Sequence, residues 1–275
     1  VSGTLFVVGT PIGNLGDLTD RARETLAAVD LIAAEDTRRT GRLLRSIGGV
    51  RARLLSFHDA NERTRVREVL RALADGHDVA LVSDGGMPLV SDPGYRLVRE
   101  AGAAGVAVRV VPGPSAAVAA LVVSGLPTDR WAFEGFLPKK AGERARRLAA
   151  LAGDPRTLVL FESPLRTREL LAELQEAFGP DRRAALCREL TKLHEEVLRG
   201  SVAEVAEALG DDDPRGEVVV VVAGAPGGPA ADPEALVAEA RALVEGGMRP
   251  REAAKTVASR HGASANQLYR SLAGS

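Results

Sequence analysis

The chain has 275 residues, 45% hydrophobic and 27% charged, with a formal net charge of −1, a size and apolar content that suit two domains, or one large one with an appendage, around a sizeable core. Its single cysteine, Cys187, excludes an internal disulfide framework and argues against a cysteine-built metal site. No apolar run approaches the roughly 18 to 20 residues of a membrane span and the N-terminal residues lack the layout of a secretory signal, so a cytoplasmic protein without a membrane partner is expected.

Residues 5–8 (LFVV) read as a buried strand that runs into the glycine-rich turn Gly9-Thr-Pro-Ile-Gly13. Residues 19–28 then carry apolar side chains at helical spacing, and residues 31–34 (LIAA) form a second short strand. A helix over 62–74 ends at Asp75-Gly76; a strand over 79–82, a helix over 95–104 and a strand over 106–111 follow. This alternation predicts a mostly parallel sheet covered by helices. After Val111-Pro-Gly-Pro114 comes a helix over 115–124, and a second block then repeats the style of the first. Its strands are expected at 131–136, 158–161, 184–188 and 218–222, and its helices at 143–152, 166–178 and 202–209. The five consecutive valines of the last strand fit burial on both faces.

The expected class is therefore α/β, with two α/β domains (1–114 and 115–224) sharing a cleft. Residues 225–233 are a linker by composition, and 234–275 a small helical unit with helices at 234–245, 250–260 and 264–272. The last two, joined by His261-Gly262-Ala263 with Ser264 as N-cap, have the spacing of a helix-turn-helix, which a plain helical cap or dimerisation arm would share.

Charge is uneven along the chain. Between Arg38 and Arg71, Arg38, Arg39, Arg42, Arg45, Arg51, Arg53, Arg63, Arg65, Arg67 and Arg71 face only Asp59, Glu62 and Glu68, a formal +7; from Lys139 to Arg147 five bases face Glu143, a formal +4. Solvated helix faces would explain either cluster alone, but two in a neutral chain favour a polyanionic partner. The histidines, at 58, 77, 194 and 261, are scattered without ligand spacing, and no metal is expected.

In an open α/β sheet, ligands bind beyond the carboxyl ends of the strands. Three loops there stand out: GTPIGNLG (9–16), SDGGMPLVSDPG (83–94), placed after the third strand, and VPGPSA (111–116), which opens directly into a helix. Glycines let backbone approach a ligand and prolines fix the turns around them. None of the three has the spacing of a dinucleotide or nucleoside triphosphate loop.

Taken in order, GTPIGNLGDLT, AEDTRRT, SFHDANE, SDGGMPLVSDPG, VPGPSA, FEGFLP, FESPLR, CRELTKLHEE and RGEVVVVV resemble the tetrapyrrole-methylase-like class of S-adenosylmethionine methyltransferases. Within it the chain is similar to the ribosomal RNA small-subunit methyltransferase I family, which 2′-O-methylates a cytidine. EDTRRT, SFHDANE and RELTK point to that RNA branch; the corrin and sirohaem enzymes read GGDP where this chain has SDGG. The resemblance implies two α/β domains with S-adenosylmethionine in the cleft, usually in a homodimer, acting on small-subunit ribosomal RNA or the assembled small subunit. It implies cofactor contacts from Gly9, Pro11 and Ile12, from Asp84, Gly85, Gly86 and Met87, from Ser115 and Ala116, and from Leu190 and Val221. Met87 stands where a threonine is expected. For the transfer itself the candidates are Glu35, Asp36, Arg38, His58, Asn61, Glu62, Glu162, Arg188, Glu189 and Lys192, with Asp36 or Lys192 near the reacting hydroxyl and Arg38 and Arg188 on flanking phosphates. A methyltransferase acting on a tetrapyrrole or other small molecule would share the cofactor loops, but has no need of the basic clusters or the C-terminal helices.

Overall fold

A computed structural model describes residues 2–210, 214–226, 233–261 and 265–273. Contacts divide the chain into two compact units, Val1–Gly224 and Ala225–Ser275.

The larger unit contains two five-stranded sheets. The first is built from β1 (Thr4–Val8), β2 (Leu31–Ala34), β3 (Arg53–Ser56), β4 (Val79–Val82) and β5 (Ala107–Val111) in the order β3-β2-β4-β1-β5. All its pairings are parallel, as the alternation with helices predicts. Those helices are α1 (Asp20–Ala28), α2 (Thr37–Ile47), α3 (Glu62–Ala74) and α4 (Tyr95–Ala103). One sheet face packs Leu5, Leu31, Val79 and Leu81 against Val69, Leu73 and Leu97; the other packs Ile32, Ala80 and Val82 against Leu26 and Leu44. Both α2 and β3 lie in a stretch that the sequence reading leaves unassigned. The helix TRRTGRLLRSI buries only Thr40 and Leu44, and the edge strand RLLS buries only Leu55, so neither carries a full apolar period. Because β3 exists, the SDGG loop follows the fourth strand, not the third.

The second sheet contains β6 (Trp131–Phe136), β7 (Thr157–Glu162), β8 (Arg183–Arg188), β9 (Glu196–Ser201) and β10 (Val218–Val222), in the order β6-β7-β10-β8-β9. Only β6 and β7 run parallel; β10 is antiparallel to both β7 and β8, and β8 to β9. The expectation that the second block repeats the first is thus corrected. The unassigned strand β9 returns after the short loop 189–195, and a connection that short can join only antiparallel neighbours. The valine strand is nevertheless buried on both faces. Val218, Val220 and Val222 pack with Leu148, Leu170 and Val205 of α6 (Ala141–Leu151), α7 (Thr167–Phe178) and α8 (Val202–Leu209). Val219 and Val221 pack with Cys187, Ile12 and residues Ala117, Ala120 and Leu121 of α5 (Ala116–Ser124). Full burial of each such side chain is worth about 1.5–3 kcal/mol, so β10 anchors this half of the unit.

The second unit comprises α9 (Pro233–Glu245), α10 (Pro250–His261) and α11 (Ala265–Ala273), packed around Leu236, Ala240, Ala254, Val257 and Leu268. The expected turn residues Gly262 and Ala263, the Ser264 cap and linker residues 227–232 lie outside the described residues. Among the described residues no helix is long and apolar enough to cross a membrane.

Candidate active site

The three unusual loops meet because the strands they follow are neighbours. Since β4, β1 and β5 are adjacent and parallel, residues 83–94, 9–16 and 112–116 all leave the same end of the sheet. Thr10 and Gly86 exchange two backbone hydrogen bonds of 2.9 and 3.0 Å, and Gly9 N donates to Val111 O at 2.9 Å. The crossing of the first and third loops admits no side chain: a Cβ on Gly9 would lie 2.6 Å from Gly113 N, and one on Gly113 would lie 2.9 Å from the Gly9 backbone. Gly86 needs its φ of 89° to make the turn. Met87, in the place of the expected threonine, contributes a side chain, because its sulfur accepts the Gly113 N–H at 3.3 Å.

Between these loops and the second sheet lies a cavity of about 480 Å³, within the range of roughly 300–1,000 Å³ common for small-molecule sites. Of the expected cofactor residues, Ile12, Asp84, Gly85, Gly86, Met87, Ser115 and Ala116 border it. Pro11 borders an adjoining cavity of about 340 Å³ that shares Arg39 and Asp84 with the first. Gly9 shapes the loop crossing behind the cavity. Leu190 and Val221 lie in the apolar cluster around Ile12 and α5, Val221 in register between Val159 and Ala185. From β10 it is Val218 and Val219 that reach the cavity, because antiparallel pairing sets them opposite Glu162 and Phe161.

The polar end of the cavity is acidic. Asp84 Oδ1 accepts Asp36 N at 2.9 Å, Asp84 Oδ2 accepts Arg39 Nη1 at 3.2 Å, and Asp84 N donates to Glu35 Oε2 at 3.3 Å. The EDTRR turn is thereby clipped to the SDGG loop. Burial pushes the Glu35 carboxyl above its ordinary range, with the Asp84 charge adding to it against the Asp84 N–H bond. Asp92 is pushed up to about 6 by burial and by the Glu35 charge. Glu35, Asp84 and Asp92 all border the cavity beside a single arginine, Arg39, a balance that favours a cationic ligand.

Asp36 itself caps α2. Its Oδ1 accepts Arg38 N at 2.7 Å and Arg39 N at 3.4 Å, while its Oδ2 pairs with Arg38 Nη2 at 3.1 Å. The bonds from Arg38 hold its carboxyl down at about 2. On the opposite side, Lys192 Nζ lies 2.7 Å from Glu189 Oε1 and 3.2 Å from Glu217 Oε2, and Glu217 borders the main cavity. The Lys192 stem lies along Gly13, where a Cβ would come within 2.4 Å of its Cγ. Burial works against the ammonium, but Glu189 and Glu217 outweigh it and raise its pKa. Arg188 pairs with Glu196 at 2.9 Å. Among the described residues the only non-glycine residues with positive φ are Leu89, Ser91, Glu189 and Thr191, all in the SDGG and RELTK loops. Each costs on the order of 1–3 kcal/mol and persists only where its surroundings enforce it.

Glu162 borders the main cavity, and the three remaining candidates, His58, Asn61 and Glu62, hold the scaffold. Asn61 Oδ1 accepts His58 N at 2.9 Å and its amide donates to Ser56 O at 3.2 Å, while Glu62 Oε1 accepts Gly94 N at 3.1 Å at the end of the SDGG loop. Among the described residues no cluster of His, Cys, Asp and Glu is arranged to hold a metal ion. Cys187 is buried, and burial pushes its thiol up to about 12.

A family model for Tetrapyrrole (Corrin/Porphyrin) Methylases matches residues 4–206. The chain is 47% identical over 273 residues to a ribosomal RNA small subunit methyltransferase I of Xylella fastidiosa (strain Temecula1), covering 97% of this chain and 98% of that one. It is 44% identical to the protein of the same name from Escherichia coli O157:H7, covering 98% and 94%. The chain belongs to the ribosomal RNA small subunit methyltransferase I family. Among solved structures it resembles uroporphyrin-III-C-methyltransferase from Thermus thermophilus (TM-score 0.58, 24% identity, 80% of this chain and 94% of that one). It also resembles the methyltransferase CobJ (TM-score 0.62, 22% identity, 82% and 95%), and both likenesses show the fold.

In this methyltransferase I family member, Arg39, Asp92, Phe136, Phe161, Ser163 and Glu217 also border the main cavity, and the sequence reading did not select them. Arg39 was within reach of it: a helix capped by Asp36 separates the directions of Arg38 and Arg39, but that helix went unassigned. Asp92 lies in the 83–94 loop that the sequence marks, and the others enter only through the packing of the second sheet against the loops of the first.

Proposed function

We propose that the chain transfers a methyl group from S-adenosylmethionine to the ribose 2′-oxygen of a cytidine in small-subunit ribosomal RNA. The observation that carries this reading is the cavity itself, in which an excess of carboxylates stands at one end of an apolar wall. Its residues fit the cofactor. Asp84 and Asp92 suit its positive charge, the bare backbone of Gly85 and Gly86 allows close approach, Ser115 offers the start of α5, and Ile12, Ala116, Val218 and Val219 suit its apolar surface. When bound, this cofactor supplies an electrophilic methyl group on a positively charged sulfur.

The protein's part is to position the acceptor and to stabilise charge. Of the two residues expected near the hydroxyl, the geometry favours Lys192. Held as an ammonium beside Glu217, it stabilises the 2′-oxygen as its proton passes to solvent water, and Glu189 keeps it in place. Asp36, a weak base at about 2, orients Arg38, whose 88% exposed side chain is available to a phosphate. Arg188 is assigned to a second phosphate, exchanging its bond with Glu196.

A polyanion finds its surface on the first basic cluster, where Arg42, Arg45, Arg51, Arg63, Arg67 and Arg71 are exposed and form no ion pair among the described residues. The second cluster is largely spent within the protein: Arg144 is buried between Glu169 and Glu173, Arg147 pairs with Glu134, and Lys140 with Glu143. We assign the three C-terminal helices to RNA binding and the lobes 1–114 and 115–224 to the two walls of the cleft. A homodimer is supported by exposed Val108 and Val110 on edge strand β5 and Val118 and Val122 on α5. A protein that acts on ribosomal subunits works in the cytoplasm, and we propose that location.

The test is transfer of labelled methyl from S-adenosylmethionine to undermodified small ribosomal subunits, with the product mapped by nucleoside analysis. Label on a cytidine 2′-oxygen is expected; tight cofactor binding without transfer to subunits would turn the assignment to a small-molecule acceptor such as a tetrapyrrole.

A further inference from the structure

One end of the main cavity is lined by aromatic rings and a buried carboxylate. Phe136, at the end of β6, is 58% exposed, and its ring stands edge-on to Phe161 with centroids 5.6 Å apart. Phe161 is braced in turn by Phe133 at 4.9 Å. Phe136 and Phe161 both border the cavity, as does the next residue, Glu162. Glu162 is only 3% exposed. Its Oε1 accepts Ser163 N at 2.7 Å and pairs with Arg166, so the carboxylate is clamped in one orientation. Its Oε2 is buried and has no hydrogen-bond partner among the described residues. A buried acceptor left unpaired is costly, and this one lies just beneath the cavity wall with no open side-chain surface, so a planar ligand that carries an N–H donor pairs with it by displacing its cover beside the exposed ring.

We infer that this end of the cavity seats the target nucleobase, with Phe136 as its stacking platform and Glu162 Oε2 accepting a hydrogen bond from the exocyclic amino group of cytosine. The inference rests on the RNA reading above and adds the choice of base to it. Proteins that recognise RNA sequence take splayed-out bases onto aromatic side chains and read their edges. Cytosine presents an amino donor where uracil presents a carbonyl acceptor. A carboxylate oxygen facing that carbonyl would remain unpaired and be repelled, so Glu162 selects cytidine over uridine at the reacting position.

The full-length protein is tested on undermodified small subunits that carry either the natural cytidine or a uridine at the mapped position, with single-turnover transfer and calorimetric cofactor binding measured side by side. The wild type is expected to prefer cytidine by about 100-fold, near the upper end of what one base-edge contact provides. Glu162→Gln keeps an oxygen for Ser163 N and offers an amide to the uracil carbonyl, so it should cut that preference by about tenfold or more while leaving cofactor affinity within about twofold. Phe136→Ala, at an exposed ring whose loss does not threaten folding, should raise KM for subunits about tenfold, and Phe136→Trp should restore most of it. An unchanged cytidine preference in Glu162→Gln overturns the inference, as does a large loss of cofactor affinity, which would give Oε2 to the cofactor. A wild type that binds cofactor but methylates neither subunit overturns the RNA reading itself, and this inference with it.

Discussion

Lys192 holds its place through three neighbours of different kinds: two carboxylates that keep it charged and a glycine that leaves room for its stem. If its ammonium stabilises the attacking 2′-oxyanion, Lys192→Met should lower kcat by about 100-fold or more while cofactor Kd changes little, as for removal of an oxyanion donor. Retained turnover would remove Lys192 from the chemistry. Gly13→Ala should shift kcat in the same direction by a smaller factor, because the new Cβ displaces the stem and not the charge. Asp92 gives a pH signature. Its carboxyl titrates near 6 in the folded protein against an ordinary value of 3.8, so the fold holds that proton more tightly than the unfolded chain does. Its contribution to stability is therefore greatest below the ordinary value and is lost as pH rises through 6. A cationic cofactor prefers the ionised form, so Kd measured by calorimetry should tighten from pH 5 to pH 7, and Asp92→Asn should flatten that profile. A wild-type profile already flat would show that Asp92 does not face the cofactor's charge.

Elements are held together here by close approach and by buried charge. The Gly9–Gly113 crossing lets the loops after β1 and β5 touch backbone to backbone, and Met87 locks them through its sulfur. Gly9→Ala should therefore lower Tm by several degrees and weaken cofactor binding by an order of magnitude or more, since the neighbour it meets is main chain and cannot turn aside. Arg144 joins α6 to α7 through Glu169 at 2.6 Å and Glu173 at 2.8 Å, with only 1% of its side chain exposed. Arg144→Ala should cost about 3 kcal/mol in denaturant unfolding and leave RNA affinity unchanged below the melting transition. A loss of RNA affinity without loss of stability would return this residue to the RNA-facing set.

For the whole molecule, the proposed RNA-binding role of the C-terminal unit is tested by removing it. Deleting residues 232–275 should weaken binding of small-subunit RNA while cofactor affinity stays within error, and equal RNA affinity after deletion would give the three helices another role. The exposed arginines of the first basic cluster imply counterion release, so log K for RNA should fall steeply and linearly with log salt, whereas a small neutral acceptor would show almost no slope.

Much of this was legible in the chain because local physics is legible. Apolar periodicity marked the strands and helices that carry a full buried face, and the span of α3, the two short strands β2 and β4, and the valine strand came out at their observed limits. Glycine and proline density marked the loops whose backbone must bend or approach closely, and those loops line the cavity. The sequence by itself thus determined the α/β class, the glycine- and proline-rich loops that line the cavity, and the family. Only the tertiary structure decided the rest. It revealed α2 and β3, which bury too little to show a period, and the antiparallel course of β10, which no local signal encodes. It also decided which end of the five valines reaches the cavity, that Arg144, Arg147 and Lys140 of the second basic cluster are spent on ion pairs within the protein, and that Glu162 stands beside Phe136 with one oxygen unpaired. Each of these depends on which distant residues become neighbours, and neighbourhood is a property of packing, not of order along the chain.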